Sequence, residues 1–370
     1  MAEYYSNSIS RKRRSRRKLY GGKELALLLL DMIATLAMML LILGTLIIII
    51  SQYISPEKSG ILSVIALGAP IIYLLDIIVM FYWIVRWRLY RAVVMIVTVF
   101  IGLLYVSRYY KFDFDRQYDT SYVERRYNKV MSYNVREGRK DSLVHYIEKH
   151  NPDILCLQEM SNRANISLLN EKYKSTTQED NSASNHIFTR HRIIRSGEIE
   201  GVMRQNGVWA DLKIKDDTVR VINLHLQTTS IRPEDTQFLE KHEYIRDKKR
   251  EDKLRSIVER LVENNRKRAA EAEAIALFLS NSPYTTIVCG DFNDVPLSYT
   301  YNRIARGLDD TFSKMANGFA YTYNTKYRLL RIDNILVSPS IEVVSYEVDN
   351  DVDLSDHYPV ISRIKLNPNK

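Results

Sequence analysis

Residues 287–293 read Ile-Val-Cys-Gly-Asp-Phe-Asn, an apolar run that ends in a carboxylate and an amide two positions apart. The apolar part predicts a buried strand, and because side chains alternate along a strand, Asp291 and Asn293 should project to the same side. Gly290 leaves room for a ligand or for another stretch of backbone to approach closely. The arrangement suits a hard-cation or phosphate site, although Asp and Asn are also ordinary turn residues.

Matching polar residues recur at the ends of other predicted strands. In residues 221–226, Val-Ile-Asn-Leu-His-Leu, the alternation directs Ile222 and Leu224 towards a core and His225 to the opposite side. The whole set is Asn134, Glu159, Asn223, His225, Asp291, Asn293, Asp333, Asp356 and His357. It offers carboxylates for a metal ion, amides that orient a phosphate and two histidines for proton transfer. The chemistry that it favours is a metal-assisted attack of water on phosphorus.

Each of these residues also has an ordinary structural explanation when it is taken alone. A single Glu after a strand is usually a solvated strand end, and a single strand His is usually a hydrogen-bonded structural residue. Residues 355–357, Ser-Asp-His, could equally form a turn or a helix cap. The functional interpretation therefore depends on reading the segments together.

Six segments in chain order resemble the motifs of the endonuclease/exonuclease/phosphatase superfamily, and they lie at 131–136, 155–159, 223–226, 290–293, 331–336 and 355–359. That superfamily includes DNase I-like nucleases, neutral sphingomyelinases, inositol-polyphosphate phosphatases and deadenylases. The resemblance covers about residues 127–366. It implies an α/β (α+β) four-layer sandwich of two packed mixed sheets flanked by helices.

The resemblance implies a metal site with Mg²⁺ as the cofactor and Mn²⁺ as an alternative. Glu159 is similar to the principal metal-binding carboxylate of the family, with Asn134 close to it on the first strand. Asp356 is similar to a further carboxylate near the metal.

The resemblance also implies five catalytic residues. Asp291 and Asn293 would orient or deprotonate the attacking water and contact the phosphate, and His225 would assist the leaving oxygen. His357 would lie beside the scissile phosphate, with Asp333 orienting it. The sequence leaves open whether Asp291 or His357 is the general base. Asn334 stands where many members of the family have an aromatic residue. This departure concerns local packing rather than catalysis.

Three apolar stretches precede the predicted catalytic domain in this chain of 370 residues. Residues 25–50 and 61–85 are long enough to cross a bilayer, and residues 92–106 are shorter. A cleaved signal peptide would be shorter than the first stretch and would be followed by small residues. We therefore predict an α-helical transmembrane anchor of three helices, in which the acidic Asp76 pairs with another residue of the bundle.

The predicted organisation is a basic cytoplasmic tail at 1–23, three transmembrane helices at 24–107, a linker at 108–126 and the catalytic domain at 127–370. The net charge of +9 is unevenly distributed. Residues 1–110 carry 13 Lys and Arg against 5 Asp and Glu, whereas residues 111–370 carry 40 against 39. The basic excess therefore belongs to the N-terminal tail, where residues 11–18 carry most of it.

Two basic clusters predict which ends of the apolar stretches face the cytoplasm. One cluster, at 11–18, precedes the first stretch, and the other, Arg86, Arg88 and Arg91, lies between the second and third. Three crossings make the chain a multi-pass inner-membrane (cell-membrane) protein with an extracytoplasmic catalytic domain. If the third stretch only lies in the interface, the domain is cytoplasmic.

The sequence thus predicts a membrane-anchored, Mg²⁺-dependent hydrolase of a phosphodiester such as a lipid head group. Its expected partners are the lipid bilayer and a phosphoester substrate, and no protein partner is inferred. One alternative is a surface or periplasmic nuclease acting on DNA or RNA, which the near-neutral charge of residues 111–370 disfavours. A non-catalytic binding module is the remaining alternative. Cys156 and Cys289 lie in apolar runs, where free buried thiols are expected, and a disulfide between them is left open.

Overall fold

The computed structural model describes residues 22–106, 108, 110–111, 127–176, 184–231, 234–235, 238, 248–324 and 328–366. Nearly all of the predicted basic tail and most of the predicted linker at 108–126 lie outside these residues.

Four helices form the N-terminal part: α1 (Gly22–Ser51), α2 (Gly60–Ala66), α3 (Ala69–Val85) and α4 (Leu89–Val106). Helix α3 packs between α1 and α4, and many large apolar side chains of these three helices stay exposed. Asp31 forms an ion pair with Arg86 at 2.9 Å. Thr45 Oγ1 donates to Asp76 Oδ2 at 2.7 Å, so Asp76 pairs within the bundle as predicted.

Among the described helices, α1 alone is by itself long and apolar enough to span a membrane. Helices α2 and α3, bent by 62° at the break between them, would together make a second span, and α4 is a shorter apolar helix. A signal sequence or a core helix of a soluble protein can meet the same criteria. Only 17% of the apolar window of α1 is buried, which is unlike a core helix.

A first sheet has the strand order β13-β14-β2-β3-β5-β4. Its strands are β2 (Asn128–Glu137), β3 (Ile154–Met160), β4 (Lys174–Ser175), β5 (His186–Thr189), β13 (Ile341–Val348) and β14 (Val360–Leu366). A second sheet has the order β10-β12-β9-β8-β7-β6. Its strands are β6 (Arg192–Glu198), β7 (Gly207–Ile214), β8 (Asp217–His225), β9 (Thr285–Asp291), β10 (Asp309–Asp310) and β12 (Asp333–Val337). A separate ribbon pairs β1 (Tyr110–Lys111) with β11 (Gly318–Phe319).

Five further helices cover or border the sheets: α5 (Ser142–His150), α6 (Arg163–Asn170), α7 (Lys248–Ser280), α8 (Tyr299–Ile304) and α9 (Thr311–Met315). The sheets bury a common core that includes Cys156 of the first and Cys289 of the second, and both thiols are free. Helices α5 and α6 pack on the outer face of the first sheet, and α7 and α8 pack on the outer face of the second. The four-layer sandwich of two mixed sheets flanked by helices is therefore confirmed.

Two parallel strand pairs bring the predicted site residues together. Strand β2 is parallel to β3, and β8 is parallel to β9, so the carboxyl ends of each pair lie at one edge. Gly290 allows β9 to approach β8 at this edge, because a Cβ atom there would lie 2.0 Å from the carbonyl oxygen of Leu224. The φ angle of Gly290 is +139°, which L side chains rarely adopt. The sequence left open whether Gly290 makes room for a ligand or for another stretch of backbone, and the structure shows the backbone of β8 there.

Helices α1–α4 correspond to the predicted anchor and keep that name below, and they contact the sandwich at the loop that follows β9. Val295 and Leu297 form an apolar cluster with Ile48, Ala69 and Tyr73 of the anchor. The same junction carries polar contacts. Arg108, just after α4, donates to Gln52 Oε1 at 2.9 Å and to the carbonyl oxygen of Pro296 at 3.1 Å. The anchor therefore rests on the edge of the sandwich at which β9 ends.

Candidate active site

Asn134 links two acidic residues that the sequence predicted for the site. Its Nδ2 donates to Glu159 Oε1 at 3.0 Å and to Asp291 Oδ2 at 3.1 Å. Asn134 belongs to the first sheet and Asp291 to the second, so this contact joins the two sheets at their shared edge. Asn134 and Asp291 are buried, whereas the Glu159 side chain is 37% exposed, which leaves Glu159 open to a ligand.

His225 lies beside the same pair of carboxylates. Its Nε2 is 3.3 Å from Glu159 Oε1 and 3.9 Å from Asp291 Oδ2. The position follows from register, because His225 at the end of β8 is the partner of Asp291 at the end of β9. An imidazole held in this way is suited to proton transfer at the mouth of the site.

His357 is buried and is fixed by Asp333, the first residue of β12. The two side chains meet at 2.9 Å through His357 Nδ1 and Asp333 Oδ2, and Nε2 is 3.7 Å from Asp291 Oδ2. Burial alone would lower the pKa of His357, but the carboxylates of Asp333 and Asp291 outweigh it and raise the pKa to about 10. Burial raises the pKa of Asp333 to about 6, against the influence of His357. At neutral pH the pair therefore consists of an imidazolium and a carboxylate.

Asn293 holds the backbone around Asp291 with both its main chain and its side chain. Its backbone N–H donates to Asp291 Oδ1 at 2.8 Å, and its Nδ2 donates to the carbonyl oxygen of Leu226 at 3.0 Å. Asn293 and Glu159 both have positive φ angles, +50° and +55°. Such conformations are costly outside glycine and gather at functional sites, where surrounding contacts maintain them.

Asp356 lies at the rim of the site with a basic partner. Its Oδ2 is 3.5 Å from Arg136 Nη1, and its side chain is 32% exposed. The predicted role of Asp356 as a carboxylate near the metal stays a prediction. Arg136 belongs to the first motif, but its role could not be assigned from sequence.

Two other residues of the site gave no signal in the sequence. The ring of Tyr323 lies 4.8 Å from that of His357 between centroids. Thr322 Oγ1 accepts from the backbone N–H groups of Ile332 and Asp333, each at 3.0 Å. Both residues come from a loop whose approach to the site depends on tertiary structure.

Asn223 has a structural position between the sheets. Its Nδ2 donates to the carbonyl oxygens of Leu157 and His186, at 2.8 and 3.0 Å, and its Oδ1 accepts from Gln158 Nε2 at 2.6 Å. All of these groups are buried, so Asn223 satisfies polar groups across the interior near the site.

The donor chemistry of the site fits a divalent cation. Ligand atoms of Asp291, Asp333 and His357 lie within 4.8 Å of one another, and all three residues are buried. Asp333 and His357 bind each other, however, and Glu159, whose side chain is 37% exposed, offers accessible oxygens beside the buried Asp291. Rotating the amide of Asn134 by half a turn would present its oxygen beside them. An oxygen-rich set of this kind suits Mg²⁺ or Mn²⁺.

Comparison with known protein families shows to which family the chain belongs. The sequence pattern of the endonuclease/exonuclease/phosphatase family matches residues 131–357. The chain belongs to this family. The match contains all of the predicted site residues. A second pattern, that of a domain of unknown function, matches residues 31–109 and so covers most of the anchor.

Solved structures that are similar to this chain cover about two thirds of it. A family protein from Bacteroides thetaiotaomicron is 18% identical, with a TM-score of 0.45, over 66% of this chain and 96% of its own. An AP endonuclease from Archaeoglobus fulgidus is 18% identical, with a TM-score of 0.45, over 64% and 98%. A mannosyl-6-phosphatase from Bacteroides thetaiotaomicron is 19% identical, with a TM-score of 0.43, over 65% and 100%. The chain matched none of the curated protein sequences with which it was compared.

Proposed function

We propose that this family member is a membrane-anchored, metal-dependent phosphodiesterase that hydrolyses the phosphodiester of a lipid and releases the phosphorylated head group. The observation that carries the proposal is the contact between the anchor and the loop after Asp291. Val295 of that loop packs in the same cluster as Ile48 and Tyr73 of the anchor. Four residues of chain can span about 14 Å at most, so the Asp291 backbone lies within that distance of Val295. A bilayer around the anchor would therefore lie close to the catalytic carboxylate.

The side chains have distinct roles in the proposed reaction. Glu159 and Asn134 would hold the divalent ion, which supplies Lewis-acid stabilisation of the charge that develops on the phosphate. Asp291 accepts a proton from the attacking water and is kept in place by the Asn293 backbone. Of the two candidate bases we favour Asp291, because the raised pKa of His357 keeps that imidazole protonated at neutral pH.

The two histidines then act as donors. Protonated His357, oriented by Asp333, donates from Nε2 to a phosphoryl oxygen. His225, which lies beside Glu159, delivers a proton to the leaving oxygen. These roles use the general acid–base and charge-stabilising effects expected of such groups.

We further propose that α1, α3 and α4 all cross the bilayer. The antiparallel packing of α3 with α1 and α4 places Gly22, Arg86 and Leu89 at one end of the bundle. The end of α1 and the start of α3 contact the sandwich, so the catalytic domain lies at the other end. By the positive-inside rule, Arg86, Arg88 and Arg91 favour a cytoplasmic location for their own end. The domain would then be extracytoplasmic.

Charge pairing on α7 gives little support to the alternative of a nuclease. Arg255 pairs with Glu259, and Lys267 pairs with Glu263. Arg260 and Lys253 both pair with the buried Asp235. Basic residues that are neutralised in this way make a poor track for a polyanion.

A substrate panel tests the proposal with the full chain in lipid nanodiscs. The panel compares phospholipids, sphingolipids, inositol phosphates, DNA and RNA, with Mg²⁺ or with EDTA. We expect hydrolysis of a lipid phosphodiester that stops in EDTA and falls about 100-fold or more in Glu159→Gln, since metal stabilisation of the phosphate is worth several kcal/mol. The matched control Glu171→Gln, at an exposed position after α6, should keep the wild-type rate. Cleavage of nucleic acid alone, or full activity in EDTA, would contradict the proposal.

A further inference from the structure

A cavity of about 360 Å³ opens between α3 and α4, beside the ribbon that joins the anchor to the sandwich. Its walls are almost entirely apolar and include Val99, Leu103 and Phe319, and it has the size of an ordinary small-ligand site. Leu103 is 51% exposed and Phe319 is 37% exposed, so the cavity is open at the surface of the bundle. In the membrane placement proposed above, that opening faces lipid.

Two buried polar atoms on the wall of this cavity lack a partner among the described residues. They are the hydroxyl oxygen of Tyr73 and Asp76 Oδ1. The other carboxyl oxygen, Asp76 Oδ2, accepts from Thr45 at 2.7 Å, and Asp76 as a whole is 1% exposed. A buried polar atom without a hydrogen bond is costly, and it is more so where no water can reach it.

Gly102 of α4 lets Tyr73 occupy its position. A Cβ atom at Gly102 would lie 3.2 Å from Tyr73 Cδ1, which is tighter than an ordinary contact. The glycine therefore allows the tyrosine ring to pack closely against α4, in the same cavity wall as Asp76. The coincidence of a donor and an acceptor in an otherwise apolar cavity points to a ligand that has both functions.

We propose that this cavity binds the alkyl chain of a lipid alcohol, whose hydroxyl group donates to Asp76 Oδ1 and accepts from Tyr73. An alkyl chain matches the apolar walls, and a hydroxyl group can both donate to a carboxylate and accept from a phenol. The inference rests on the proposed membrane placement of α3 and α4. When water breaks the P–O bond on the lipid side of the phosphodiester, the products are such an alcohol and a phosphorylated head group, and other membrane alcohols have the same chemistry.

The position of the cavity connects it to the catalytic centre. Phe319 lines the cavity, and the ring of Tyr323, four residues later, contacts that of His357 with 4.8 Å between centroids. Between them Tyr321 lies 6.4 Å from Phe319 and 5.7 Å from Tyr358, measured between ring centroids. A lipid bound at Asp76 would therefore have one end beside a run of aromatic residues that leads to the active site.

Photolabelling with a matched pair of probes tests this inference. The probes are a long-chain alcohol that carries a diazirine in its chain and the methyl ether of the same molecule, which cannot donate. They are added to the full chain in nanodiscs with EDTA present, and labelled peptides are mapped by mass spectrometry. We expect the alcohol to label peptides around residues 70–77 and 99–103 about fivefold more than the ether, the ratio that one net hydrogen bond gives.

Three variants make the test specific. Asp76→Leu removes the acceptor and should abolish the preference for the alcohol, while Val99→Phe fills the cavity and should reduce labelling by both probes. Thr98→Val is the matched control, because its hydroxyl group bonds to Val94 of its own helix and does not line the cavity. Equal labelling by the two probes, or unchanged labelling in Val99→Phe, would overturn the inference. Labelling needs no turnover, so its failure is separate from failure of the substrate panel.

Discussion

Asp291 is the residue on which the contacts of the site converge. Its Oδ2 accepts from Asn134 and lies 3.7 Å from His357 Nε2 and 3.9 Å from His225 Nε2, while its Oδ1 accepts from the Asn293 backbone. A carboxylate that is held from several sides needs little reorganisation when substrate binds, which is the basis of electrostatic preorganisation. Together with Asp333, the Asp291 carboxylate raises the pKa of His357 and so keeps that imidazole protonated.

Replacing Asp333 with Asn should move the alkaline limb of the pH–rate profile to lower pH. The pKa of His357 is raised to about 10, so the protonated donor is present at neutral pH and is lost as the pH rises through that value. Removing the Asp333 carboxylate removes a raising influence, and we expect the limb to move by at least about one pH unit. The measurement is kcat/KM on a soluble phosphodiester at increasing pH.

The control for this shift is Asp353→Asn. Asp353 is in the loop before His357, its side chain is 92% exposed, and the substitution should leave the limb in place. An Asp333→Asn enzyme with an unmoved limb would show that another group controls the alkaline loss of activity.

Several of the polar residues that the motifs singled out lie close together because strand register aligns the ends of their strands. Alternation predicted that His225 faces away from the core, and the register of β8 with β9 in the structure brings it beside Asp291. Side-chain direction was harder to predict where the backbone leaves the strand. Asn293 has a positive φ angle, and its amide turns to the Leu226 carbonyl. Arg136 also has a positive φ, +43°, which brings it to Asp356.

At the scale of elements, α2 and α7 join the anchor to the sandwich. Asn265 of α7 donates to Ser63 Oγ of α2 at 2.7 Å. Asn265 also accepts from the buried Arg268, which lies 3.4 Å from Asp294 in the loop after Asp291. The contact between helices is thus connected to the loop of the active site through polar groups that are all buried.

Gly60→Val should loosen this contact and reduce lipid hydrolysis more than hydrolysis of a soluble phosphodiester. A Cβ atom at Gly60 would lie 2.3 Å from Val262 Cγ1, so α2 and α7 must separate. Because overpacking costs about 1–3 kcal/mol, we expect a drop in Tm of several degrees together with a lower ratio of lipid to soluble activity. Ile61→Val, at an exposed position next to it, is the control. A normal activity ratio in Gly60→Val would show that α2 does not help to present the site.

Asn334, which stands where many family members have an aromatic residue, takes part in a second contact between the sandwich and the end of the anchor. Asn334 Oδ1 accepts from Arg331 Nη1 at 2.9 Å, and Arg331 is fully buried. Arg331 also pairs with Asp310 at 2.8 Å and donates to the carbonyl oxygen of Arg108 at 3.1 Å. An amide at position 334 therefore supports an arginine that fastens the chain where it leaves the anchor.

Periodicity predicted buried strands better than edge strands. The apolar runs at 186–189 and 207–214 predict strands there, and β5 and β7 have these bounds. β6 and β13 do not follow from periodicity because they are outer strands with mixed polar and apolar residues, such as Arg-Ile-Ile-Arg-Ser-Gly-Glu in β6. Helical spacing at 254–262 and a buried helical pattern at 269–279 both predict helix, and both fall in the single helix α7.

At the scale of the whole molecule, the anchor lies at the edge of the sandwich that carries the active site. Strands β9 and β12 both meet that edge at site residues, and Leu330, just before β12, also packs against the anchor cluster. A domain joined to membrane helices by a flexible linker alone would not need such contacts. The arrangement fits an enzyme whose substrate is in the bilayer.

Reporter fusions test the proposed topology. A reporter that follows Arg88, between α3 and α4, should signal from the cytoplasm, and one at the C-terminal Lys370 should signal from the other side. The reason is that three crossings separate the basic ends of the bundle from the catalytic domain. Cytoplasmic signals from both fusions would show that α4 does not cross.

The most direct test of the central claim compares lipid hydrolysis within and between vesicles. The full chain is reconstituted in vesicles that contain a head-group-labelled lipid, or in unlabelled vesicles mixed with labelled ones, and release of phosphorylated head group is measured with Mg²⁺. If the anchor presents the site to its own bilayer, release within the same vesicle should be at least about tenfold faster, as expected from the raised effective concentration. Equal rates in the two arrangements, or no release from lipid in either, would contradict the account.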